Sequence, residues 1–127
     1  MGDTIKEGET IELKTRVKDS DTARVHGSGL LDVYSTPAMV ALMEKASMEL
    51  VQPYLEAGRG TVGISLDVRH MKAIPVGEEI RCISKFKGRE DNRITFEVKV
   101  LRGQDIVGEG VHTRYIIDEK RFLSKIK

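Results

Sequence analysis

Three side chains in this 127-residue sequence combine reactive chemistry with a constrained position: Thr36, Glu44 and His70. Glu44 falls inside YSTPAMVALMEKASMELVQPYL, beside Met43 and close to Leu42 and Ala46. A carboxylate held against apolar neighbours has its charged form disfavoured, so its pKa rises and it becomes a better general base. Next to Lys45, the same residue is equally at home on a wet helix face. His70 closes the run VGISLDVRH and shares the parity of Val68 and Leu66, which points its ring inward. There an imidazole acts as acid, base or donor near neutral pH, or is a hydrogen-bonded core histidine. Thr36 precedes Pro37 and is a nucleophile, a donor that orients water or Glu44, or a helix cap. Eight helical residues span about 12 Å, too far for a direct Thr36–Glu44 hydrogen bond. Either the chain before Pro37 turns back, or His70 bridges the two, from this subunit or another.

The elements that must position these groups are legible. Ile11, Leu13, Thr15 and Val17 alternate with charged residues, a half-buried strand. DSDTARVHGSGLLDV reads as a loop with one short helical turn. A long helix follows, with Ser35 or Thr36 as cap and Pro37 at its first position. Thr36, preceding proline, is biased away from helical angles. Met39, Leu42, Met43, Ala46 and Leu50 form the core-facing stripe, and Gly58 and Gly60 mark the exit. Val62, Ile64, Leu66 and Val68 then alternate cleanly as a strand. Residues 79–86, 94–100 and 106–117 are three more, joined by the turns GREDN and RGQD. The basic tail DEKRFLSKIK is weakly patterned. One helix covering one face of a meandering antiparallel sheet is an α+β domain, expected to occupy residues 1–127 as a single unit. Its other face is wet or covered by a partner, and its open edges suit closure by a symmetric dimer.

Composition narrows the function. Charged residues make up 32% of the chain but nearly cancel, leaving a formal net charge of +1, so no global field attracts nucleic acid. With no tryptophan and few aromatics, no base-stacking platform is visible. The one cysteine, Cys82, excludes an internal disulfide and lies in an apolar run, as a structural thiol would. The N-terminus lacks a signal-peptide layout and no apolar run is long enough to span a membrane, so a cytoplasmic location is expected. His26 and His112 have no ligand-like spacing with His70, and no metal is expected.

IPVGEEI, at residues 74–80, resembles the turn opening the third strand in many hotdog-fold thioesterases. More narrowly, the chain resembles the fluoroacetyl-CoA thioesterase family. The likeness runs from KEGET through TPAMVALMEKASMELVQPYL and GTVGISLDVRHMKAIPVGEEI to GEGVHTRYII. It implies a hotdog fold, one long central helix wrapped by a five-stranded antiparallel sheet, and an acyl-CoA thioesterase. The family's threonine at the helix mouth, glutamate two turns in and histidine at the second strand's end align with Thr36, Glu44 and His70. These stand eight and twenty-six positions apart, as in the family pattern. Gly63 falls where the family has a glycine close to the acyl group. One departure is informative. The family member that prefers the fluorinated substrate has lid phenylalanines before the helix, whereas residues 25–31 here read VHGSGLL. Other small acyl-CoA esters are therefore the expected substrates.

On this reading Thr36, Glu44 and His70 supply acid–base, oxyanion and positioning roles. The amides just beyond Thr36 and around Gly63 are the oxyanion candidates. Met39, Met43 and Leu30 would line an adaptable acyl pocket. Arg69, Lys72, Arg89, Arg93, Arg114 and the basic tail are candidates for the CoA phosphates. No cofactor is required, since CoA belongs to the substrate. A homodimer, which can pair further into a dimer of dimers, is the expected assembly, with no nucleic-acid or membrane partner. The alternative is a non-catalytic acyl-CoA-binding hotdog module. A hydratase is disfavoured because Asp32, before the helix, has no histidine beside it.

Overall fold

Ser35 starts the long helix. Its backbone is extended (ψ 152°) and its hydroxyl accepts a hydrogen bond from the Ala38 N–H at 3.1 Å. In the computed structural model, which describes residues 4–126, the helix α2 spans Thr36–Val51. Thr36 is thus its first residue and Pro37 its second, one position earlier than expected. The proline bias on Thr36 yields to the Ser35 cap, and the Thr36 hydroxyl is left free of capping duty. Pro53 forces the exit into a single 3-10 turn, Gln52–Tyr54, well before Gly58.

The preceding segment carries the one short helix α1 (Ala23–His26), closed by Gly27 in the left-handed region at φ 72°. Five strands complete the core: β1 (Thr10–Arg16), β2 (Arg59–His70), β3 (Glu79–Glu90), β4 (Arg93–Arg102) and β5 (Asp105–Asp118). The C-terminal tail is not irregular. Asp118 caps a third helix, α3 (Glu119–Lys125), by accepting from the Arg121 N–H.

All pairings are antiparallel, and the strand order is β1-β3-β4-β5-β2. The last three strands meander as expected, while β2 crosses over to lie beside β5, leaving its other edge open. This is the hotdog architecture, with α2 laid across β3, β1 and β4. Met39, Met43 and Ala46 are fully buried against sheet residues including Cys82, Phe96 and Val100. Each methionine so buried contributes about 1.5–3 kcal/mol. Ser47 anchors the helix further: its hydroxyl donates to the Met43 carbonyl (2.9 Å) and receives the Ser84 hydroxyl from β3 (2.8 Å).

The alternation of β2 is broken. The register with β5 shifts between Gly63 and Ser65, so Ile64 sits in a bulge. Val62 therefore opposes the outward Tyr115, whereas Leu66 opposes the buried His112. Beyond the bulge, Leu66, Val68 and His70 share the helix-side face, as their parity predicted.

Candidate active site

The site residues form two clusters. The first is where β2 ends and α2 begins. Pairing of Val33 with Pro75 and the Tyr34 N–H to Ile74 carbonyl bond (2.9 Å) tie the segment before α2 to the segment after β2. That link brings the Thr36 hydroxyl to 2.9 Å from His70 Nδ1. The Tyr34 ring packs edge-on to the imidazole, centroids 6.2 Å apart. Burial lowers the His70 pKa from its ordinary 6.5, and the nearby Lys72 backbone acts against that shift. Its Nε2 is buried and has no hydrogen-bond partner among the described residues. A cleft of about 340 Å³ lined by Tyr34, Thr36, His70 and Lys72 opens beside the pair.

The second cluster surrounds Glu44. Its Oε2 lies 3.6 Å from Arg114 Nη1, and that arginine side chain is only 8% exposed, against 38% for the glutamate. Arg114 Nε donates to the Thr61 hydroxyl (2.8 Å) and Nη2 to the Thr61 carbonyl (3.0 Å). His112 completes the set. Its Nδ1 faces the Ser65 carbonyl at 2.9 Å, which can only accept, so Nδ1 carries the proton. Nε2 then accepts from Arg114 at 3.2 Å. Burial lowers the pKa of His112, and the Arg114 charge acts the same way, against the Ser65 contact and Glu44. The imidazole is neutral, and the cluster directs a fixed cation at Glu44. The carboxylate thus faces a guanidinium as well as apolar helix neighbours.

Gly63 belongs to this cluster. A Cβ there would lie 2.5 Å from Glu44 Oε2 and 3.1 Å from His112 Cε1. Only glycine lets the carboxylate approach the strand so closely.

Within one chain no hydrogen bond joins Glu44 to either Thr36 or His70, so His70 does not bridge the two as one of the expected arrangements required. The chain before Pro37 does not turn back to Glu44 either. Three further expectations change. Pro37 has no N–H, and the Ala38 and Met39 amides are taken by the Ser35 hydroxyl and carbonyl. The helix start therefore offers no free amide just beyond Thr36. Arg114 is buried against Glu44 rather than standing on a phosphate-binding rim. Met39 and Met43 are fully buried in the core, while Leu30 is 84% exposed, so the three do not line one cavity within a chain.

His112, set aside for lack of ligand-like spacing, and Arg114, expected at the CoA phosphates, stand beside Glu44, where spacing rules did not place them. The signal was present in VHTRYI, where both share the parity of buried Ile116. Cys82 is buried, its thiol pushed up to about 12, and is chemically quiet. Among the described residues, no group of three or more His, Cys, Asp or Glu is placed to hold a metal ion. No described helix is long and apolar enough to cross a membrane.

A protein-family model described as "FlK: Fluoroacetyl-CoA-specific thioesterase" matches residues 17–120. The fluoroacetyl-CoA thioesterase of Streptantibioticus cattleyicolor is 33% identical over 96 residues, covering 76% of this chain and 69% of that protein. The chain belongs to this family. It is accordingly a hotdog-fold thioester hydrolase, and its whole architecture agrees. A crystal structure of a phenylalanine-to-alanine mutant of FlK superposes with a TM-score of 0.92 at 29% identity, covering 98% of this chain and 96% of that one. A Thermus thermophilus thioesterase superfamily member superposes with a TM-score of 0.89 at 26% identity, covering 97% and 91%.

Proposed function

We propose that this family member hydrolyses small acyl-CoA thioesters at sites shared between the two subunits of a homodimer. The observation that carries this reading is the division of labour within one chain. Thr36 and His70 form a bonded pair whose Nε2 lacks a partner, while Glu44 sits apart beside the open edge strand β2. That edge exposes Ile64 (44%) and Leu66 (37%), apolar surface that pairing with a second β2 would cover. Two-fold antiparallel pairing centred near Ser65 sets the Thr61–Gly63 end of one strand against the Arg69–His70 end of the other. Glu44 of the partner subunit then approaches His70.

In the assembled site His70 Nδ1 takes the Thr36 proton as the hydroxyl attacks the thioester carbonyl. Glu44 of the partner subunit accepts from Nε2–H and steadies the imidazolium. A backbone amide beside Gly63 that the strand pairing leaves unpaired holds the oxyanion. Collapse breaks the C–S bond, and the departing thiolate takes the proton from His70. Water activated by the same imidazole then releases the free acid from Thr36. The segment at residues 25–31, without phenylalanine, favours small acyl groups beyond fluoroacetyl.

Thiol release from a panel of acyl-CoA esters tests this. Glu44→Gln and His70→Ala should each lower kcat/KM at least about a hundredfold. Within one chain burial lowers the His70 pKa, and the partner's Glu44 opposes that shift, so Glu44→Gln should move the acid limb of the pH profile to lower pH. Turnover indifferent to Glu44 would sink the mechanism. Acyl-CoA binding without turnover would leave a binding module instead.

A further inference from the structure

A second cleft, of about 360 Å³, lies where β2 begins, against α3 and the β3–β4 turn. Three cations line it: Arg59 from β2, and Arg121 and Lys125 from α3. Tyr115, 40% exposed, and Phe122 supply aromatic surface, with Asn92 beside them.

The charge there is unbalanced. Among the described residues, no carboxylate lies within ion-pair distance of Arg59, Arg121 or Lys125. Arg121 and Lys125 stand four apart on one helix face, a spacing at which like charges repel. The one acid in the lining, Asp118, turns its Oδ1 to the Arg121 N–H at 3.0 Å as the helix cap. An arrangement that gathers cations free of ion pairs around partly exposed aromatic rings suits a ligand that is both polyanionic and aromatic.

Its place relative to the candidate active site is specific. Arg59 lies two residues before Thr61, which holds Arg114 against Glu44. From Gly63 to Arg59 the strand runs about 13 Å, a length of the order that a pantetheine arm must bridge. Arg121 and Lys125 lie just beyond the family match at residues 17–120.

We propose that this cleft binds the nucleotide end of coenzyme A. Arg59, Arg121 and Lys125 face its phosphates, and Tyr115 and Phe122 receive the adenine. The assignment rests on the thioesterase reading above. It identifies which of the many surface cations serve the substrate and leaves out Arg114, which is committed to Glu44.

The test compares an acyl-CoA with the same acyl group on pantetheine, using wild type and the doubly substituted Arg59→Glu/Arg121→Glu protein. KM for the CoA ester should rise about tenfold or more with kcat unchanged, since each lost phosphate pair is worth on that order. The pantetheine ester should be processed equally by both proteins. Equal losses on the two substrates, or none on the CoA ester, would overturn the assignment. Calorimetry with 3′-phosphoadenosine 5′-diphosphate separates the two claims. If wild type hydrolyses nothing yet binds this nucleotide and the variant does not, the cleft stands and the hydrolase reading fails. No binding by wild type overturns the cleft. So does ATP binding as tightly without competing with acyl-CoA, which would mark a separate nucleotide site.

Discussion

One hydrogen atom decides the geometry around Glu44. A methyl group at position 63 would meet the carboxylate oxygen at 2.5 Å, well inside contact distance. Gly63 lies outside the left-handed region, and the residue is exposed on an edge strand, so alanine there strains the site more than the fold. Gly63→Ala should lower kcat/KM about tenfold or more by displacing the carboxylate. Its melting temperature should stay within a few degrees of wild type. Thiol-release kinetics beside a thermal melt check both halves, and a large drop in melting temperature would mean that the glycine serves folding. Gly63 was named from a family likeness as a substrate contact. The fold adds a reason internal to this chain: room for Glu44.

At the scale of elements, α2 does two jobs through one cap. The Ser35 hydroxyl satisfies the Ala38 N–H, and by doing so leaves Thr36 to bond His70. Ser35→Ala should cost about 1 kcal/mol, a fall of roughly 4 °C in melting temperature for a domain of this size. Turnover should fall with it, because the Thr36 hydroxyl loses its fixed start to the helix. Calorimetric melting and the kinetics of the same sample test the coupling, and stability lost without activity would uncouple cap from catalysis. The helix and its core stripe were legible in the sequence because burial imposes a three-and-four spacing. The bulge in β2 was not. An extra residue costs nothing in composition, yet it inverts which side chains face the helix. It is found only when the partner strand is known.

The whole molecule leaves β2 uncovered, and there the two clusters predict their own complementation. Glu44→Gln and His70→Ala subunits should each retain no more than about a hundredth of wild-type activity alone. Refolded together in equal amounts, random dimers should regain about a quarter of wild-type activity. Half of such dimers are mixed, and each mixed dimer rebuilds one of its two sites. Mixtures that stay dead while mixed dimers are shown to form would place the whole site within one chain. This measurement also settles assembly, since complementation requires a shared site.

The family likeness marked Thr36, Glu44 and His70; residue types and spacing were enough to mark α2, the succession of strands along the chain and the buried stripe from Met39 to Leu50. These follow from local rules, in which caps, periodicity and turn chemistry act over a few neighbouring residues. Sheet order, the bulge, the pairing of Thr36 with His70 and the placing of Arg114 and His112 beneath Glu44 did not follow. Each joins residues far apart in the chain, and their contact depends on how strands cross and pair. A parity pattern says that His112 and Arg114 share a face. Only the folded sheet says that this face meets Glu44.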